Sequence, residues 1–256
     1  MTATAIGAAC DLDEIIVWKD VDGILSTDPR MVPAAIPIPS VSFDEAAELA
    51  YFGAKVLHPI AMMPAMKKGV TVRVKNSYNT DHPGTVINAK GGGNLVTALT
   101  CKRDVQLIDI KSTRMLGAYG FLANVFKSFD KHKLSVDVLA SSEVSVSLTL
   151  DSKNKVYKGH GLCDDLKDVA DIVVEDGRAI LTLIADVARS SEVLATAFRV
   201  FYEEDIHVEM LSQGASKVNI SFIVADKDLE KAMTTLHKCF FEGGCGLKEE
   251  GAKEVE

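Results

Sequence analysis

Two stretches of this chain repeat one another at a fixed distance. Phe129, Val136, Leu139 and Val146 recur 72 positions later (201 − 129 = 72) as Phe201, Val208, Leu211 and Val218, and acidic Asp137 falls on Glu209. A repeat of this kind is one supersecondary unit used twice, because a single copy cannot bury its own apolar face. Residues 144–150, VSVSLTL, alternate apolar and polar without a break, which is the pattern of a half-buried strand. The first copy is expected to hold strand 105–110, helix 120–132, strand 134–139 and strand 144–150. The second repeats the order with strand 180–184, helix 190–202, strand 206–211, strand 218–224 and a helix over 226–241. That order predicts a ferredoxin-like βαββαβ unit, an antiparallel sheet with helices on one face.

The chain ahead of the repeat reads differently. A small apolar helix at 1–10 leads into Ile15, Ile16, Val17 and Trp18, a buried-type strand, and then into the polar loop 19–30, KDVDGILSTDPR. A loop leaving the carboxyl end of a strand is where open α/β sheets bind ligands, and an ordinary solvated loop has the same composition. Ser42 and Glu45 form a capping box that opens a helix to about residue 57, stopped by His58-Pro59. Lys55 falls in its last turn, where a cation complements the helix dipole. A short helix over 62–68 stops at Gly69, and 70–76 alternates as a strand. Gly91-Gly92-Gly93 is not followed by the Gly-Lys-Ser/Thr of a phosphate loop and reads as a linker. The fold class is therefore α/β plus α+β, divided into 1–90, 94–175 and 176–248, with a solvated tail from 249.

Charge and cysteine usage exclude several functions. The net charge is −8 and Lys and Arg are massed nowhere, which argues against nucleic acid as a partner. Five cysteines, Cys10, Cys101, Cys163, Cys239 and Cys245, form no Cys-x-x-Cys pair and are expected as reduced thiols, and no metal-ligand spacing occurs. No apolar run reaches the ~18 residues of a membrane helix, and no targeting segment is visible.

The first repeat offers what a zwitterionic amino acid needs. Gly117-Ala118-Tyr119-Gly120 precedes a helix, so open amides and the positive dipole end can face a carboxylate, and Asp137 opens the next strand as an acceptor for an ammonium group. Ser141, Ser142 and Glu143 add polar groups before the last strand. The second copy enters its helix through Arg189-Ser190-Ser191-Glu192, without glycine, so it is expected to pair rather than bind. A plain turn and a surface acid fit the first copy as well.

Six motifs carry a resemblance that spans nearly the whole chain: VWKDVDGILSTDPR, SFDEAAELAYFGAKVLHP, VRVKNSY, GFLANVF, SVDVLASSEVSVSLTLD and QGASKVNIS. With these the chain resembles the aspartate kinases, specifically the monofunctional plant-type enzymes with paired ACT regulatory domains. The resemblance implies that 1–90 is the carboxyl part of an amino acid kinase domain with a parallel sheet, followed by two ferredoxin-like ACT domains, the first binding effector and the second pairing. It implies ATP with Mg2+ as substrate, no tightly bound cofactor, and formation of 4-phospho-aspartate on the route to lysine, threonine and methionine. Carried over by motif, Lys19, Asp20, Leu25, Arg30, Lys55 and Val56 are the nucleotide contacts. Leu25 stands where some relatives have an aromatic residue. The allosteric lysine site is similar to Met115, Ala118, Tyr119, Gly120, Phe121, Leu122, Asp137, Ser142, Glu143 and Val144, at an interface of paired chains in a homo-oligomer, where plant-type members also respond to S-adenosylmethionine. Plastid localisation follows from the plant-type likeness. The family's Lys-Phe-Gly-Gly and Gly-Arg-Gly-Gly-Ser-Asp motifs, which supply the catalytic lysine and aspartate, belong upstream of Met1, so no catalytic residue is expected in the chain itself. The competing expectation is a non-catalytic, lysine-sensing regulatory or scaffold chain.

Overall fold

The computed structural model describes residues 2–52, 57–112, 119–151, 153, 155–157, 159–214 and 216–243. The first part holds α1 (Thr2–Ala9), β1 (Glu14–Lys19), β2 (Ser40–Ser42), α2 (Phe43–Tyr51), α3 (Pro59–Lys68), β3 (Thr71–Asn76) and β4 (Thr85–Asn88). Its four strands form one sheet in the order β1-β3-β4-β2, with β1 parallel to β3, β2 parallel to β4, and β3 antiparallel to β4. Val41, Val72, Val74 and Ile87 are buried from the strands and Leu49 from α2. β1 is an edge strand on which Ile16 and Trp18 stand about half exposed.

The local signals act as read. Ser42 Oγ accepts from Glu45 N at 3.1 Å and Ser42 N donates to Glu45 Oε2 at 2.6 Å, a complete capping box. Gly69 closes α3 in the left-handed region at φ 72°. α2 is shorter than expected, ending at Tyr51 with Phe52 as its cap, and His58 opens the next helix by accepting from Ile60 N through Nδ1. The glycine linker also has packing work: Gly91 sits at φ 68°, and a Cβ there would lie 2.8 Å from Glu45 Oε2 and 3.0 Å from Ser42 N, inside the capping box.

The second part holds β5 (Val96–Lys111), α4 (Phe121–Lys131), β6 (Val136–Ser141), β7 (Ser145–Leu150), α5 (Gly161–Leu166), β8 (Asp171–Ala185), α6 (Ser190–Glu203), β9 (Val208–Gln213), β10 (Asn219–Ala225) and α7 (Leu229–Phe241). Its strands make one antiparallel sheet in the order β6-β7-β5-β8-β10-β9. The 72-residue offset is visible directly: β6 at 136–141 maps onto β9 at 208–213. In the next strand the offset becomes 74 (220 − 146 = 74), so Val146, Leu148 and Leu150 answer to Ile220, Phe222 and Val224, all buried.

The two long strands belong to both repeats. Residues 106–111 of β5 pair with β7 and 105–111 pair with 171–178 of β8, whereas 96–102 pair with 180–185. The register shifts between these halves, where Asp104 takes φ 56° and Gly177 takes φ 69°. The second unit therefore completes its four strands with 96–102, a segment that precedes the first unit in sequence. The sheet curls until β6 lies beside β9, where Ser212 Oγ donates to Leu139 O at 3.4 Å. Val105, Leu107, Val138, Ile180, Met210 and Ile223 fill the inside of the curl, and Phe52, from the end of α2, is buried among them. α4 and α5 cover the first repeat and α6 and α7 the second. Cys10, Cys101 and Cys163 carry free thiols, and burial pushes the Cys101 thiol up to about 11. Cys239 is disulfide-bonded, against the expectation of reduced thiols throughout.

Candidate functional site

β1 and β3 run parallel, so their carboxyl ends at Lys19 and Asn76 lie side by side, and the polar loop leaves from there. Its turn is set by Gly23 at φ 122°, where a Cβ would collide with Thr85 Oγ1 and approach Thr85 N to 2.9 Å. Ile24 N donates to Thr85 Oγ1 at 2.8 Å, and that hydroxyl donates to Ile38 O at 2.6 Å. Ser77 donates to the Lys19 carbonyl through N at 2.8 Å and Oγ at 3.0 Å. Asp22 accepts from Asn76 Nδ2 at 2.9 Å and Asn79 Nδ2 at 3.1 Å. Arg30 grips Asp28 with Nε at 3.0 Å and Nη2 at 2.6 Å, and this bond holds the Asp28 carboxyl below its ordinary range. Lys19, Asp20, Leu25 and Arg30 thus share one loop, Leu25 being half-buried and bridged to Pro37. Lys55 and Val56 lie outside the described residues. Sequence reasoning missed Ser26, Thr27 and Thr85. The Thr27 hydroxyl is buried without a hydrogen-bond partner among the described residues, a group that a ligand or water would satisfy.

The second candidate lies where β6 turns into β7. Ser142 Oγ accepts from Val144 N at 3.3 Å and Ser145 N at 3.1 Å, and bonds Ser145 Oγ at 2.8 Å. Ser112 N donates to Val144 O at 3.0 Å, which ties the end of β5 to the same turn. A cavity of about 490 Å³ opens here, lined by Lys111, Val144, Ser145, Lys167, Asp168 and Asp171 among others. Both signs of charge border it, as a zwitterion requires. The lysines and Asp171 come from separate elements at no recurrent spacing, so no sequence signal points to them. Gly120 enters α4 in the left-handed region at φ 78°, Phe121 is half-buried, Leu122 and Glu143 are exposed, and Tyr119 is fully exposed. Gly117, Met115 and Ala118 lie outside the described residues.

Asp137 is not brought to this turn within the chain. It stands near the start of β6, five residues before Ser142, or about 16 Å of backbone along a strand at ~3.3 Å per residue. Its carboxylate accepts from Lys102 Nζ at 2.6 Å and from Tyr51 Oη at 3.2 Å, and the side chain is only 5% exposed. Burial, with the Asp137 charge as a smaller cause, raises the Tyr51 phenol above its ordinary range. Asp137 joins α2, β5 and β6. Asp137→Asn is expected to cost about 1–2 kcal/mol, since Lys102 is left with the more distant Asp151 at 3.8 Å and the Tyr51 ring at 5.9 Å, and to leave affinity at the Ser142 turn unchanged. Thermal melts and lysine calorimetry check this; a large loss of affinity would return Asp137 to the effector site.

Fold and site define a class: part of an amino acid kinase fold joined to a paired regulatory sheet. Residues 1–76 match the amino acid kinase family and residues 185–240 match the ACT domain. Aspartokinase 1, chloroplastic, of Arabidopsis thaliana is 50% identical over 253 residues, covering 95% of this chain and 44% of the relative. The structure of Escherichia coli aspartokinase III in complex with lysine and aspartate superposes with a TM-score of 0.81 at 35% identity, over 94% of this chain and 54% of that one. The same protein with aspartate and ADP superposes at 0.80 and 37% identity, over 94% and 55%. The chain belongs to the aspartokinase family. It spans about half the length of the relatives it matches. Among the described residues no helix is long and apolar enough to cross a membrane.

Proposed function

We propose that the chain is part of an aspartate kinase, which transfers phosphate from ATP to L-aspartate to give 4-phospho-L-aspartate under feedback by L-lysine. The observation that carries this is the shared framework: the loop at the carboxyl end of parallel β1 meets the curled regulatory sheet where Ser26 O accepts from Leu99 N at 2.7 Å, and the end of α2 packs into the same sheet through Phe52. Phosphoryl transfer is mostly positioning and charge neutralisation. In this reading Lys19, Asp20, Leu25, Arg30, Lys55 and Val56 hold Mg2+-bound nucleotide, supported by the ADP complex of the E. coli relative. Lysine binds at the Ser142 turn, with Met115, Ala118, Tyr119, Gly120, Phe121, Leu122, Glu143 and Val144, supported by the lysine complex. S-adenosylmethionine is a second candidate effector at the same turn. The units are 1–90 on the catalytic side, a first ACT unit within 94–175, and a second within 176–248 that borrows strand 96–102. Pairing of chains through the ACT units and a plastid location, as in the Arabidopsis relatives named chloroplastic, complete the proposal.

A titration with Mg-ADP tests the catalytic side, with saturable binding expected and its absence counting against the nucleotide loop. A coupled assay of aspartate phosphorylation then separates this reading from a second one, that the chain acts as a lysine-sensing regulatory partner. That reading is favoured by one observation: among the described residues the six-stranded antiparallel sheet pairs every strand of both repeats and is covered by α4 to α7. Lysine binding without turnover selects it.

A further inference from the structure

Ser26 is held on every side. Its N donates to Ile36 O at 2.8 Å, its carbonyl accepts from Leu99 N at 2.7 Å, and its Oγ accepts from Ile36 N at 2.9 Å. The remaining partner of Oγ comes from the far end of the chain: His237 of α7, with Nε2 at 2.8 Å. Both Ser26 and His237 are fully buried at 0% exposure. His237 Nδ1 bonds Glu242 Oε1 at 2.9 Å, and its ring stacks on Phe241 at 4.8 Å between centroids. Nδ1–H donates to the Glu242 carboxylate, and the Ser26 hydroxyl, which has one proton and a second acceptor lone pair beside the one taken by the Ile36 amide, meets Nε2 in a bond that either atom can donate.

Among the described residues, nothing in the kinase part supplies that bond. A buried hydroxyl that loses a hydrogen-bond partner carries its desolvation cost uncompensated, so the Ser26 contact is an anchor on the loop between Leu25 and Arg30. We infer that His237 is a positioning residue for the nucleotide loop, fixing Ser26 and thereby the backbone on which Leu25 and Arg30 stand. Control of the loop then reaches the last helix of the second regulatory unit, which the sequence pattern marks only as a pairing copy. The inference rests on the nucleotide reading for its purpose and on the Ser26 geometry for its mechanism.

Hydrogen exchange on the full chain separates the two. In His237→Leu, the amides of Ser26 and Ile36 are expected to exchange roughly tenfold faster while those of β8 and β10 hold, as local opening does. His237→Gln, which retains one acceptor and one donor, is expected to fall between that variant and the parent. A Mg-ADP titration of the same proteins is expected to weaken in the leucine variant and recover in the glutamine variant, with thermal midpoints of the two variants alike. Unchanged loop exchange, or exchange rising equally across the chain, overturns the positioning role. Loop exchange that responds in a parent chain binding no ADP keeps the positioning and removes the nucleotide reading.

Discussion

Phe52→Ala is expected to cost about 3–5 kcal/mol, the range for removing a buried phenylalanine where the surroundings cannot collapse. Phe52 is only 4% exposed and lies inside the curled sheet against residues of both repeats, Val138 of the first and Met210 of the second among them. Its carbonyl accepts from Thr100 Oγ1 at 2.8 Å, so backbone and side chain both enter the sheet. Residues 53–56, which include Lys55, follow directly in sequence. Removing the ring is therefore expected to have a second effect: lysine still binds at the Ser142 turn, but no longer changes the affinity for Mg-ADP. Urea denaturation followed by two probes, with ADP titrations at saturating and zero lysine, measures both. Coupling retained in the alanine variant would place the connection elsewhere.

Gly23→Ala carries the next largest expected effect. The glycine sits at φ 122°, a region that costs any side chain of order 1–3 kcal/mol, and the added methyl meets Thr85 Oγ1 and Thr85 N. Neither partner yields cheaply, because Thr85 Oγ1 bridges Ile24 N and Ile38 O. The loop must give way instead, carrying Leu25 with it. A loss of about 2–4 kcal/mol is expected, together with loss of Mg-ADP binding at temperatures where the chain remains folded. Circular dichroism melts and the ADP titration check it. A stable variant with full nucleotide affinity would show that the loop tolerates a different turn.

What could be read from the residues was local. The capping box at Ser42 and Glu45, the stop at Gly69 and the alternation over 144–150 each depend on neighbours within a few positions, and each appears as expected. The offset of 72 located β6 and β9 because those strands have equal length. Partnering across the chain was not legible. Nothing in Val96–Lys111 announces that its two halves serve different units, since alternation reports a buried face and not the strand beside it. The same limit hid Ser26, Thr85 and His237, lone polar residues whose importance comes from a partner as many as 211 positions away. Asp137 was singled out for its charge, yet Lys102 and Tyr51 hold it, and neither stands at a spacing that betrays the contact. Gly91 looked like slack in a linker and instead packs against the cap of α2.

The most direct test of a lysine-sensing aspartokinase segment is calorimetry of the chain with L-lysine. The expected result is saturable binding, lost when Ser142 is replaced by a bulky residue at the turn and retained in Asp137→Asn. No saturable heat up to millimolar lysine, from a chain shown to be folded, would contradict it.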